Sequence, residues 1–272
     1  EARTQLAVLI RKLIMSSINL EFKSIEFPGY DLGEQKGSDG KLFGFKNEYH
    51  PFIPVGDSVW EFGLTKNAVG KIKSDFGAYS KGKIVPGKEL NNLNYIGVSP
   101  HNLGSKKIDI VQELSDEGIF KEIRILDVGN LEEWLASSYT TQVWLANKIG
   151  DPSIVSNSST LEEKWNDWRR VNDKIVLNST FFDHYVARYK DKIRNWILNT
   201  PSKVISVKSD SILQGCAFVW STLQSIEDDP HHILFSIRDR VIYINDSKDL
   251  KRFVDSQEEF IIVTDNDEVL SK

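Results

Sequence analysis

The sequence predicts an α/β protein: a mixed sheet flanked by helices, then a helical segment and a small βαβαβ unit. Three observations carry this. Through residue 126 the apolar spacing switches repeatedly between the helical and the strand period, giving helix, three strands, helix, strand, helix, strand. Asp151-Pro152 and the Ser-rich run to Thr160 then break the pattern. Beyond Lys203, three short apolar runs alternate with helical segments, as in a parallel sheet.

The elements follow in order. Residues 3–15 place Leu6, Val8, Leu9, Leu13 and Ile14 at helical spacing, and residues 18–27 alternate as a strand that Pro28-Gly29 stops. Leu42, Phe43 and Phe45 mark a strand over 41–47, and Asp57 to Gly63 forms the next. A helix is expected over 66–80, a short buried strand at 95–98, a helix over 105–117 and a strand over 120–126. Helices over 131–136 and 140–149 complete a first domain, 1–150. Residues 151–200, with helices over 160–172 and 180–199, read as a helical linker. Residues 201–272 read as the βαβαβ unit: strands 204–207, 241–244 and 260–263, with helices 210–225 and 247–254 between them.

Apolar residues make up 40% and charged residues 27% of 272, which calls for a packed core rather than disorder. No apolar run approaches a membrane span, and the cations Arg3, Arg11 and Lys12 within an amphipathic pattern lead us to expect no secretory leader in the first twenty residues. A single cysteine, Cys216, rules out a disulfide framework and fits a reducing, cytoplasmic setting. The start without Met and the end directly after a strand-like run lead us to expect a piece of a longer protein. Net charge is −5, which disfavours a chain coated for nucleic acid. Yet residues 66–88 hold Lys66, Lys71, Lys73, Lys81, Lys83 and Lys88 against Asp75 alone, a local field suited to a phosphate backbone. A solvated loop is the plainer reading of the same lysines.

The chemistry concentrates between Gly37 and Asp75. Asp39-Gly40 forms a turn ahead of one strand, and Glu61 stands in the next, on the opposite face from Trp60 and Phe62. The intervening loop allows the two strands to pair, so both carboxylates can meet at one divalent cation, Mg²⁺ or Mn²⁺. Such an ion, with a lysine beside it, equips a site for phosphodiester hydrolysis. Asp39-Gly40 alone is an ordinary turn, and Glu61 alone an ordinary strand residue.

These residues resemble the PD-(D/E)XK nuclease fold, a restriction-endonuclease-like mixed sheet. The runs Gly37 to Gly40 and Ile53 to Gly63 are similar to the N-terminal domain of large bacterial antiviral defence proteins of the STAND NTPase type. Further matches are Lys71 to Phe76, Val98-Ser99-Pro100, Leu131 to Leu135 and Val143 to Ala146. The resemblance covers about residues 1 to 170. It implies a Mg²⁺- or Mn²⁺-dependent DNA endonuclease with little sequence preference, metal on Asp39 and Glu61, and assembly into a homo-oligomer through regions outside these residues. It also implies a catalytic lysine two residues after the glutamate, where this chain has Gly63. Two readings stay open: a lysine moved to the helix, Lys71 first and Lys73 next, or a nuclease fold without activity that binds nucleic acid or a partner. Lys66, Lys73, Lys81 and Lys83 are the expected DNA-binding residues.

The remaining candidates are weaker. Glu21 and Glu26 lie near the first strand, and His101 follows Pro100 in a loop. His231-His232 stands beside Asp228-Asp229, a pattern found in solvated loops as well as metal sites. No Gly-x-Gly-x-x-Gly or Walker-type run accompanies the C-terminal unit, and Asp210-Ser211 reads as a helix cap.

Overall fold

The computed structural model describes residues 2–17, 21–28, 37–150, 158–171, 174–175, 178–199, 204–227, 240–254 and 261–270. The chain divides into two compact units, Glu1–Ser138 and Tyr139–Lys272.

The first unit is built on a five-stranded mixed sheet of β1 (Ser24–Glu26), β2 (Gly40–Phe45), β3 (Gly56–Phe62), β4 (Leu93–Val98) and β5 (Glu122–Leu126), in that spatial order. β1, β2 and β3 pair antiparallel; β3, β4 and β5 pair parallel. The helices are α1 (Ala2–Ser16), α2 (Ala68–Ser80), α3 (Lys106–Asp116) and α4 (Val128–Ala136). Strand alternation sends side chains to two separate cores. Trp60, Phe62, Ile96, Val98 and Leu126 pack with Ile10, Leu13 and Ile14 of α1 and with Leu131 and Trp134 of α4. Val59, Tyr95, Ile123 and Ile125 pack with Ile72, Phe76 and Tyr79 of α2 and with Ile110 and Leu114 of α3. β4 is buried along its whole length because both faces are covered, as parallel strands require.

His50 anchors the loop between β2 and β3. Its Nδ1 accepts the Phe52 and Ile53 amides at 3.2 and 3.1 Å, which leaves the proton on Nε2, 3.0 Å from Ser17 Oγ. The ring packs edge-on against Phe45 and Trp134. Burial first, and then the charge of Arg124, lowers its pKa to about 4.

The second unit holds α5 (Tyr139–Ile149), β6 (Ser158–Thr160), α6 (Leu161–Trp168), β7 (Arg170–Val171), β8 (Lys174–Ile175), α7 (Asp183–Asn199), α8 (Ile212–Glu227), β9 (Val241–Ile244), α9 (Ser247–Val254), β10 (Ile261–Val263) and α10 (Asp267–Leu270). Its main sheet runs β10-β9-β6, with β9 and β10 parallel and β6 antiparallel to β9. Three details differ from the sequence expectation. Residues 204–208 form no strand, and the third strand is β6, drawn from the Ser-rich run. The helices expected as a linker share one core with the C-terminal part, where Leu161, Trp165, Val186 and Ile193 meet Trp220, Leu223 and Val241. The boundary falls after Ser138 rather than near 150, because Val143 of α5 packs with Ile242, Ile244 and Val269. The Asp228-Asp229 and His231-His232 cluster lies outside the described residues. Among the described residues no helix is long and apolar enough to cross a membrane.

Candidate metal-binding and catalytic site

The site forms where β2 begins and β3 ends. The antiparallel register sets Gly40 opposite Trp60, which brings Asp39 level with Glu61. Asp39 Oδ2 accepts the Phe62 amide at 2.8 Å, so the aspartate is tied to the strand that carries the glutamate. Glu61 projects from β3 toward α2, on the opposite face from Trp60 and Phe62, as strand alternation requires.

Glu61 is 3% exposed. Its Oε1 accepts two hydrogen bonds, from the Tyr79 hydroxyl at 2.7 Å and from Lys83 Nζ at 2.6 Å. Burial raises the pKa of Glu61; Lys83 and Tyr79 oppose that rise, and the charge of Asp39 adds to it. The two carboxylates therefore act on one another electrostatically. Burial, followed by the negative charge of Glu61, pushes the Tyr79 hydroxyl far up, so it remains a phenol that donates. Tyr95, below Tyr79 on the sheet, is raised by burial and then by Glu61, Asp75 and Asp39.

Lys83 reaches Glu61 through the way α2 stops. Gly82 has φ +99°, its amide bonds Tyr79 O at 3.1 Å, and the Lys83 amide bonds Ala78 O at 2.9 Å. These two bonds make a Schellman stop, in which a left-handed residue closes the last helical turn and reverses the chain. The reversal folds the Lys83 side chain back over the Tyr79 ring, with Nζ 4.6 Å from its centroid and on to Glu61.

Lys71 and Lys73, expected to serve the acidic pair, end elsewhere: Lys71 pairs with Asp75 one turn along α2, and Lys73 with Glu113 of α3. Lys66 and Lys81 are exposed, as a DNA-facing role requires. Lys88 pairs with Asp57 at 2.5 Å. Lys83, grouped with the DNA-binding lysines in the sequence, is the lysine that touches Glu61. Gly63, two residues after the glutamate, lies close against α2. A Cβ there would lie 3.3 Å from Ile72 Cγ1 and 3.4 Å from the Ala68 carbonyl, so the first turns of α2 cover that position. Asn67 caps this end of α2 by accepting the Gly70 amide at 3.1 Å. Helix-stop chemistry was the signal for Lys83 in the sequence: Lys81-Gly82-Lys83 directly follows the helical run.

Two hard oxygen donors on adjacent strands suit Mg²⁺ or Mn²⁺. Among the described residues no group of three or more His, Cys, Asp or Glu side chains is placed to hold a metal ion. An ion on Asp39 and Glu61 would therefore keep water in most of its positions, the usual mode for Mg²⁺. Glu21 and Glu26 do not join the pair: they bond Lys46 at 2.8 Å and Lys41 at 2.9 Å. His101 is occupied locally, its Nε2 3.3 Å from the Leu64 carbonyl.

No protein-family model, curated protein or solved structure matches the chain.

Proposed function

We propose that the first unit is a metal-dependent DNA endonuclease that hydrolyses phosphodiester bonds with little sequence preference. The observation that carries this reading is the buried Asp39–Glu61 pair with a lysine at its edge: Glu61 is 3% exposed and Lys83 Nζ lies 2.6 Å from it. A buried carboxylate held against another carboxylate costs stability, and such arrangements cluster at functional sites. Asp39 and Glu61 would hold Mg²⁺ or Mn²⁺, which supplies a water of lowered pKa and neutralises developing charge on phosphate. Tyr79 fixes the rotamer of Glu61 by donating to Oε1. Lys83 transfers its ammonium from Glu61 to a phosphate oxygen when DNA arrives, steadying the charge that builds there. Lys66 and Lys81 hold the backbone on either side, and Lys71, Lys73 and Lys88 can exchange their carboxylate partners for phosphate.

The role as effector of a prokaryotic antiviral defence protein, cytoplasmic and active as a homo-oligomer, rests on the motif resemblance of residues 37–63 and the later matching runs. Plasmid incubated with Mg²⁺ or Mn²⁺ tests the activity. Cleavage that stops with EDTA, and falls at least about 10²-fold in Asp39→Asn and Glu61→Gln while DNA binding persists, supports the enzyme. Binding without cleavage at any metal or protein concentration supports the second reading, an inactive nucleic-acid-binding or interaction module. That reading is favoured by Glu61 Oε1 already being satisfied by Tyr79 and Lys83.

A further inference from the structure

The second unit carries a surface that the acidic site does not use. Helix α7 is amphipathic. Phe182, just before it, and Val186 and Ile193 enter the core with Trp165, Ala217 and Trp220. Tyr185 on its outer face is 54% exposed, and Phe181, in the short 3₁₀ turn Ser179–Phe182 that precedes the helix, is 68% exposed. Within α7 the spacing of 185, 188, 192 and 195 places Tyr185, Arg188, Lys192 and Asn195 along one stripe, and Phe181 stands two residues before the helix begins. Two large rings standing in water cost free energy, and the cations that follow them give the stripe a chemical direction. Tyr189, at the stripe's border, is 37% exposed and already carries the Arg188 guanidinium 5.3 Å from its ring centroid, while its own ring packs on Phe218. The segment 183–199 holds four cations (Arg188, Lys190, Lys192, Arg194) against Asp183 and Asp191, within a chain of net charge −5. Among the described residues neither Arg188 nor Lys192 is held in an ion pair.

We infer that this face binds single-stranded nucleic acid. Bases stack on Phe181 and Tyr185, and Arg188 and Lys192 take the adjoining phosphates. Aromatic rings offer every base a π-face, so the stacking is indifferent to sequence, and the cations set a polyanion as the partner. Phe181 and Tyr185 are four residues apart, at most about 14 Å of chain, so both rings can be engaged by one strand. A second copy of this chain is the competing occupant, and sedimentation separates it from nucleic acid in the test below.

The test is fluorescence anisotropy of a labelled oligothymidine with the full chain in EDTA, which removes any dependence on metal or cleavage. The Phe181→Ser/Tyr185→Ser variant should weaken binding at least about tenfold, since stacking is worth about 1–3 kcal/mol per base. The Arg188→Gln/Lys192→Gln variant should lower the slope of log affinity against log salt by about 1.4, or about 0.7 for each single-strand phosphate no longer neutralised. Both pairs lie on the outer face, so unchanged circular dichroism is expected. Wild-type affinity in both variants overturns the inference, as does failure of the parent chain to bind. Loss of self-association in sedimentation, with DNA affinity unchanged, overturns it in favour of a copy-to-copy interface. A nuclease failure would show as binding without cleavage, which leaves this readout untouched.

Discussion

Lys83 Nζ sits 2.6 Å from Glu61 Oε1, and the two residues reach one another only because Gly82 turns the chain back at the end of α2. The ion pair joins a nearly buried carboxylate to an ammonium whose side chain is 22% exposed. Removing one member is therefore worse than removing both. Lys83→Met should cost about 2 kcal/mol at neutral pH, below the range for fully buried pairs because the lysine is partly solvated. The double variant Glu61→Gln/Lys83→Met should recover most of that loss. The folded pKa of Glu61 is raised, so its contribution to stability is full below its unfolded value and is lost as pH rises through the folded value. Without Lys83 the folded pKa climbs further, so the variant's deficit against urea should be larger near pH 8 than near pH 5. Plasmid cleavage should fall about 10²-fold. Urea midpoints at the two pH values, with a nicking assay, check both; equal losses at pH 5 and pH 8 would contradict the assignment.

Gly82 offers a test that leaves every charge in place. A Cβ at this position would meet nothing within 4 Å, so Gly82→Ala is opposed by its φ of +99° alone. A left-handed conformation costs an L-residue about 1–2 kcal/mol, and relief of that strain would move Lys83 off Glu61. Gly82→Ala should therefore reduce cleavage far more than binding, whereas Gly82→Asn, better tolerated at such a stop, should do less harm. Cleavage rates and anisotropy on the same preparations decide it. Equal rates for parent and both variants would mean the turn does not present Lys83.

Most of the first unit was legible because its signals are local. Strand alternation put Glu61 on the opposite face from Trp60 and Phe62, and the antiparallel pairing of β2 with β3 brings Asp39 and Glu61 to the same end of the sheet. The lysine was not legible in the same way. Lys71 and Lys73 are nearer in sequence, but their partners Asp75 and Glu113 lie one helical turn away and on α3, and only the packed helices show that both are engaged. In the second unit the Ser158–Thr160 strand has no apolar alternation to announce it; its pairing with β9 supplies the order. The run at 204–207 has the apolar residues but pairs with no strand among the described residues.

Gly63 tests whether space bars a lysine from the position two residues after Glu61. The position where the resembled nucleases carry their lysine lies under α2, with Ile72 Cγ1 and the Ala68 carbonyl 3.3 and 3.4 Å from a would-be Cβ. The tighter neighbour is the Ile72 side chain, which is fully buried and has little room to give. Gly63→Lys should destabilise the chain by about 1–3 kcal/mol, as overpacking does, and should not rescue cleavage in Lys83→Met. Rescue without loss of stability would show that α2 gives way and that the site tolerates either position.

His50 sets how the first unit responds to acid. Its folded pKa is about 4 against an ordinary 6.5, because burial and Arg124 disfavour the imidazolium and Nδ1 is already accepting two amides. Above pH 6.5 both the folded and unfolded chains hold a neutral ring, and the full stability is present. As pH falls from 6.5 toward 4 the unfolded chain takes up the proton first, so stability declines across that window by up to roughly 3 kcal/mol. Glu61 acts in the opposite sense, because its folded pKa lies above its unfolded value; its window overlaps the histidine's, so the His50 contribution is read from the difference between the parent and variant curves. His50→Gln should be less stable than the parent at pH 7, because its amide cannot accept both backbone N–H groups and bond Ser17 with the same geometry. It should also lose the dependence on pH between 6.5 and 5. Urea midpoints of parent and variant through that interval check the assignment, and parallel curves would place the acid sensitivity elsewhere.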